Sequence, residues 1–195
     1  MPKHGTITPS QFKKIMTKGR GKDAVFGQTA HTYADEIVLD LLGVEREQIT
    51  AAALEHGNEL EPFARERYES EQFASVQIVN EPIVHPEFDF VAGTPDGLIG
   101  DDGIIEIKCP FNPVNHLKNI ESAKQLDLYF YQIQGYLWIT GRQWCDFVSY
   151  DIRFPDELQI AVHRVERDDA IILQLQQRCL LFWDLIQQKL ENIRK

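Results

Sequence analysis

The chain has 195 residues, is 43% hydrophobic and carries a formal net charge of −10. That length suits one core, so a single domain spanning residues 1–195 is expected. No apolar run approaches the roughly 20 residues that cross a bilayer, and Met1-Pro2-Lys3-His4-Gly5 lacks the apolar core of a signal peptide, so a cytoplasmic protein with no membrane role is expected.

The charge is unevenly spread. Residues 1–22 hold Lys3, Lys13, Lys14, Lys18, Arg20 and Lys22 and no acid, which leaves 14 of the 20 basic residues against 30 acids in the remainder. A basic arm of this kind reads either as a nucleic-acid contact or as a solvated helix. Cys109, Cys145 and Cys179 are odd in number and far apart, which excludes disulfide frameworks and zinc or iron–sulfur clusters. The six histidines show no metal-ligand spacing.

Thr8-Pro9-Ser10-Gln11 carries a capping threonine, a first-turn proline and a glutamine three residues after the cap, predicting a helix from about Pro9 to Lys18 that stops at Gly19. Ala34, Ile37, Val38 and Leu41 predict a second helix over His31 to Leu42. Ala51 to Tyr68 has helical composition, but Gly57 and Pro62 interrupt it, so one helix and two remain alternatives. Short β-branched and aromatic runs follow at Val76–Val79, Ile83–His85, Phe88–Ala92, Gly97–Gly100 and Ile104–Cys109. A helix over Glu121–Thr140, strands over Trp144–Arg153 and Leu158–Val165 and a closing amphipathic helix over Asp168–Ile193 complete a mixed α and β pattern around one central sheet.

Pro95-Asp96-Gly97 and Glu106-Ile107-Lys108 carry the chemistry. Two carboxylates and an ammonium on adjoining strands would form a magnesium seat with a lysine beside it, the minimum for metal-assisted phosphodiester hydrolysis. Each motif alone has a duller reading, as a turn and as an exposed charge pair; an acid and a base on a strand as apolar as Ile104-Ile105-Glu106-Ile107 tip the balance toward function. Glu106 and Lys108 necessarily share a sheet face. A two-residue Asp101-Asp102 loop would set Asp96 opposite Ile107, on the wrong face. A three-residue loop, Asp101-Asp102-Gly103 with Gly103 left-handed, sets Leu98 opposite Glu106 and Asp96 opposite Lys108, leaving Asp96 and Glu106 diagonal neighbours on one face.

Gly93-Thr94-Pro95-Asp96-Gly97, the run Ile105 to Pro110, Gly57 with Glu61 and Ala64-Arg65, and Tyr131-Gln132-Ile133-Gln134 together resemble the phage lambda-type exonucleases, the viral alkaline exonuclease recombinases of the PD-(D/E)XK nuclease superfamily. The resemblance runs from Ile7-Thr8 to the closing helix. It implies an α/β fold of the α+β type, with a restriction-endonuclease-like core in which helices flank a central mixed sheet. It also implies a 5′-to-3′ exonuclease that trims one strand of linear double-stranded DNA from its ends, leaving a 3′ overhang for a single-strand annealing protein. Such enzymes are phage or prophage proteins of a bacterial host and typically form ring-shaped homotrimers.

Carried over residue by residue, Asp96, Glu106 and the Ile107 backbone carbonyl would hold one Mg²⁺, with Mn²⁺ able to substitute, and Glu61 would help to hold a second. Lys108 would orient or deprotonate the attacking water, its pKa lowered beside two ions. Gln132 matches a site glutamine, although a solvated polar residue on its helix is an equal reading. Ser10, Arg20 and Thr94 match a 5′-phosphate pocket, with helix N–H groups near Ser10 in support. Lys3 stands where a second arginine is expected and offers a point charge in place of a bidentate fork. Leu54 corresponds to an apolar wedge that parts the terminal base pair, against the alternative of a core leucine. Competing functions are a PD-(D/E)XK endonuclease of restriction or junction-resolving type and a non-catalytic DNA-binding module.

Overall fold

The computed structural model describes residues 5–21, 24–44, 52–122 and 126–194. A 3-10 turn, Pro9–Gln11, runs into α1 (Phe12–Met16), followed by α2 (Gln28–Leu41) and α3 (Ala52–Gln72). Strands β1 (Val76–Gln77), β2 (Ile83–Val84), β3 (Ala92–Gly93), β4 (Gly97–Ile99) and β5 (Gly103–Lys108) lead to α4 (Pro113–Ser122) and α5 (Leu126–Thr140). After β6 (Trp144–Tyr150) and β7 (Ile160–Glu166), α6 (Asp169–Arg194) closes the chain.

Five strands form a mixed sheet in the order β1-β4-β5-β6-β7, with β2 and β3 paired apart. Only β5 and β6 run parallel, and the crossover between them carries α4 and α5. That crossover makes β5 the central strand, and it is apolar on both faces because helices cover both. Ile105 and Ile107 pack with Ala64 and Tyr68 of α3. Ile104 packs on the opposite face with Ile133 and Leu137 of α5. A separate core joins α1, α2 and α6 around Phe182 and Trp138. Among the described residues no helix is long and apolar enough to cross a membrane.

Several local expectations are corrected. The first helix ends at Met16, because Thr17 turns to extended backbone while its hydroxyl and its N–H both bond the Lys13 carbonyl, at 2.7 and 3.2 Å. Thr8 makes no side-chain cap; its N–H instead donates to the Tyr33 hydroxyl at 3.0 Å. α3 is one helix that continues through Pro62, forgoing one backbone bond while Ala64 and Tyr68 anchor it to the sheet. The expected span Glu121–Thr140 holds the end of α4 together with α5, and α4 begins earlier, at Pro113, where Asn112 caps its start by accepting from the Val114 N–H at 3.0 Å. Of Phe88–Ala92 only Ala92 joins a strand, since Phe88 and Phe90 turn their rings onto Trp138 and Trp183.

The hairpin register also differs. Gly97 pairs with Ile105, Leu98 with Ile104 and Ile99 with Gly103, so the three-residue loop is Gly100-Asp101-Asp102 and the left-handed glycine is Gly100, at φ +52. Gly103 belongs to β5 because the Trp144 indole lies against it: a Cβ there would meet that ring at 2.3 Å. The shift is two residues, so Asp96 and Glu106 still face the same side.

Gly93 is pressed in the same way between the first turn and α5, where a Cβ would lie 2.8 Å from both Pro9 Cδ and Tyr136 Cε1. Gly93→Ala is therefore expected to cost about 1–3 kcal/mol by overpacking, read as a melting temperature several degrees lower by calorimetry. An unchanged melting temperature would show that the contact relaxes freely.

Candidate active site

Extending the β4–β5 register by one pair sets Asp96 across from Glu106. Asp96 accepts a hydrogen bond from the Ile107 N–H at 2.6 Å through Oδ2, which fixes its carboxylate over the centre of the sheet. Glu106 is only 1% exposed. Its Oε1 accepts from Lys108 Nζ and from Gln132 Nε2, the latter at 2.6 Å, while its buried Oε2 has no hydrogen-bond partner. A carboxylate in this position is costly in its charged form. Burial pushes the Glu106 pKa up, Lys108 opposes that rise and Asp96 adds to it; burial likewise raises Asp96, against Lys108 and the Ile107 N–H.

Lys108 responds to the same acids. Burial acts to lower its pKa, but the Glu106 and Asp96 carboxylates outweigh burial and hold the ammonium charged. The lowering expected beside two ions therefore requires those ions, since in this acid-lined setting the shift runs the other way. Its Nζ also lies 5.1 Å from the centroid of the Tyr129 ring. Gln132 is not merely solvated: α5 turns it inward, where it holds Glu106 and reaches the Tyr136 hydroxyl at 3.3 Å.

Glu61 reaches the site from α3 and is ion-paired with Arg65 one helical turn on. Burial raises its pKa, as does Asp96, against Arg65 and Lys108. Among the described residues no group of three His, Cys, Asp or Glu side chains is assembled as a metal cage. Arg65 pairs with Glu61 and Lys108 with Glu106. Glu61, Asp96 and Lys108 line a cleft of about 550 Å³. Leu54 lies on its lip and is 56% exposed, which rules out the core alternative for that residue.

The proposed phosphate pocket is less assembled. Pro9 packs on Gly93, bringing the Thr8–Ser10 turn beside the end of β3 and half-buried Thr94. Ser10 and Arg20 are exposed. The helix end expected to favour an anion at Ser10 is only a 3-10 turn leading into five α-helical residues, so its dipole is small. Lys3 lies outside the described residues.

Sequence reasoning missed the clamp on the segment leaving β5. Arg153 donates to the Pro110 and Phe111 carbonyls at 3.0 and 3.1 Å, and its guanidinium is gripped by buried Asp151 at 2.6 and 2.7 Å. No sequence signal links Arg153 to Pro110, which lies 43 residues away.

An α/β core that sets Asp96, buried Glu106 and Lys108 on one sheet face defines the PD-(D/E)XK-like fold of the lambda-exonuclease type. The chain belongs to the YqaJ-like viral recombinase domain family, which it matches over residues 2–143. It is 38% identical to the alkaline exonuclease LHK-Exo of Laribacter hongkongensis, with a TM-score of 0.88 over 98% of this chain and 92% of that one, and LHK-Exo in complex with dAMP gives the same values. A phage-related exonuclease from Haemophilus somnus 129PT shares the fold at 20% identity, with a TM-score of 0.79 over 98% of this chain and 97% of that one. No curated protein matches the chain.

Burial acts to raise the Asp151 pKa, but the Arg153 hydrogen bonds prevail and hold it below the usual carboxylate value. The native state then binds fewer protons than the unfolded chain, so the clamp's contribution is present in full above about pH 4 and is lost as pH falls through the depressed native pKa. Thermal melts between about pH 2 and 6 are expected to show a shallower acid limb for Asp151→Asn than for wild type. Equal slopes would remove Asp151 from the acid response.

Proposed function

We propose that the protein is a divalent-metal-dependent 5′-to-3′ exonuclease that degrades one strand of linear double-stranded DNA and leaves a 3′ overhang for a single-strand annealing protein, in the cytoplasm of a bacterium carrying the phage or prophage. The observation that carries this reading is the buried Glu106 carboxylate, whose Oε2 has no hydrogen-bond partner, on the sheet face it shares with Asp96 and Lys108, which line the cleft. A hard cation suits that oxygen, because burial and Asp96 both raise the cost of the negative charge there. Family membership and the fold shared with LHK-Exo support it further. LHK-Exo has been solved with dAMP, and a deoxynucleoside monophosphate is what stepwise hydrolysis of DNA releases.

Asp96, Glu106 and the Ile107 carbonyl would hold one Mg²⁺ and Glu61 a second, with Mn²⁺ able to substitute. Bound there, the ions would supply positive charge to the attacking and leaving oxygens of an in-line displacement. The chain's own groups do the positioning. Gln132 holds Glu106 through Oε1, so that Oε2, which has no protein partner, would be the oxygen left for an ion. Lys108, which lines the cleft and donates from Nζ to Glu106 Oε1, would orient or deprotonate the attacking water. Ser10, Arg20, Thr94 and Lys3 would grip the 5′-phosphate, and Leu54 on the cleft lip would part the terminal pair. A homotrimeric ring follows from the family resemblance.

The discriminating assay offers 5′-phosphorylated linear duplex, 5′-hydroxyl duplex and closed circular DNA with Mg²⁺. Rapid loss of the first, slower loss of the second and none of the third are expected, with Asp96→Ala and Lys108→Ala reduced at least about 100-fold. Cutting of circles would hand the case to an endonuclease, and an active Asp96→Ala protein would remove the catalytic assignment.

Cation binding has its own readout. Mg²⁺ binds the native cleft and not the unfolded chain, so millimolar Mg²⁺ is expected to raise the wild-type melting temperature. The rise should vanish in Glu106→Gln; its persistence there would place the ion elsewhere.

A further inference from the structure

Phe111 lines the cleft with Lys108, three residues beyond the end of β5, and yet is 57% exposed. Leaving a phenylalanine in water forgoes about 1.5–3 kcal/mol of burial. The chain nonetheless holds its backbone firmly. Arg153 bonds the Pro110 and Phe111 carbonyls, Asp151 holds Arg153, and the next residue, Asn112, caps α4. The His56 ring stands at 87° to the Phe111 ring with centroids 5.5 Å apart. Whichever ring presents its edge in such a contact, at least one face of the phenyl group stays open.

We propose that Phe111 is a stacking platform for a nucleobase of the strand held in the cleft, within a few nucleotides of the phosphate at Asp96 and Glu106, with Arg153 and Asp151 as its positioning residues. The proposal rests on the nuclease reading above and extends it to a base contact. An aromatic face contributes about 1–3 kcal/mol per stacked base and accepts any base, which fits an enzyme that must pass every sequence through one cleft. Leu54, the other large exposed hydrophobic among the described residues that line the cleft, offers contact but no π face. Stacking and simple apolar contact therefore separate experimentally.

Binding of 5′-phosphorylated duplex is measured by fluorescence anisotropy without divalent ions, so that no strand is cut, for wild type and for Phe111→Ala, Phe111→Leu and Phe111→Trp. Each protein is also given duplexes with a single abasic nucleotide stepped through the first few positions of the 5′ strand. Phe111→Ala and Phe111→Leu are expected to bind intact duplex about tenfold more weakly, while Phe111→Trp retains affinity. At one abasic position the difference between wild type and Phe111→Ala should disappear. Full affinity in Phe111→Leu, no loss in Phe111→Ala, or a loss equal at every abasic position would each overturn the proposal. Digestion of the same duplex by wild type with Mg²⁺ separates the two readings. A protein that cuts nothing yet shows the base-dependent loss removes hydrolysis and keeps stacking, whereas an active protein without that loss removes stacking alone.

Discussion

A carboxylate set in the middle of a central, apolar strand costs several kcal/mol unless donors and positive charge are brought to it. Glu106 is such a group, 1% exposed on β5 with helices over both sheet faces. The surroundings are organised around that cost. β5 itself contributes Lys108 two residues on, α5 contributes Gln132, and the preceding hairpin strand lays Asp96 alongside. One oxygen is satisfied and the other is left without a partner.

The parallel β5–β6 pair is what allows this. A parallel connection needs a crossover, and this one supplies both α5, which carries Gln132 and Tyr129 to one side of β5, and α4, whose start forms part of the cleft wall. The opposite face receives α3, which delivers Glu61 and Arg65 near the cleft and anchors itself through the Tyr68 hydroxyl on buried Asp146 at 2.6 Å. The same helix therefore serves both the core and the site. Beyond β5 the chain leaves the sheet at Cys109, and the Arg153 clamp ties this part of the cleft's lining to the segment that follows β6.

The acids and the lysine were legible because their chemistry is local. Alternation puts Glu106 and Lys108 on one face whatever the fold, and a turn containing Pro95-Asp96-Gly97 feeds the neighbouring strand. The hairpin register was legible only in its parity. The loop glycine was assigned to Gly103, whereas the Trp144 ring claims that position and passes the left-handed role to Gly100. α4 went unread although Asn112-Pro113 is a start signal: its apolar Val114 and Leu117 are exposed, and buried His116 and Asn119 hold it, with His116 bonding Ser149 and the Leu158 carbonyl, each at 2.8 Å. Polar anchors of this kind are not marked by the hydrophobic period, which here falls on the exposed side.

By itself the sequence determined most of the element types, the shared face of Glu106 and Lys108 and the lambda-exonuclease resemblance, since these depend on side-chain alternation, short-range turn chemistry and contiguous motifs. Only the tertiary structure decided that Gln132 bonds Glu106, that Leu54 is a lip residue and not core, that α3 persists through Pro62, and that Arg153 secures Phe111. Each of these is a contact or an exposure set by how distant elements pack. The free energy that fixes them comes from burial and partner satisfaction across the fold, which no local propensity encodes.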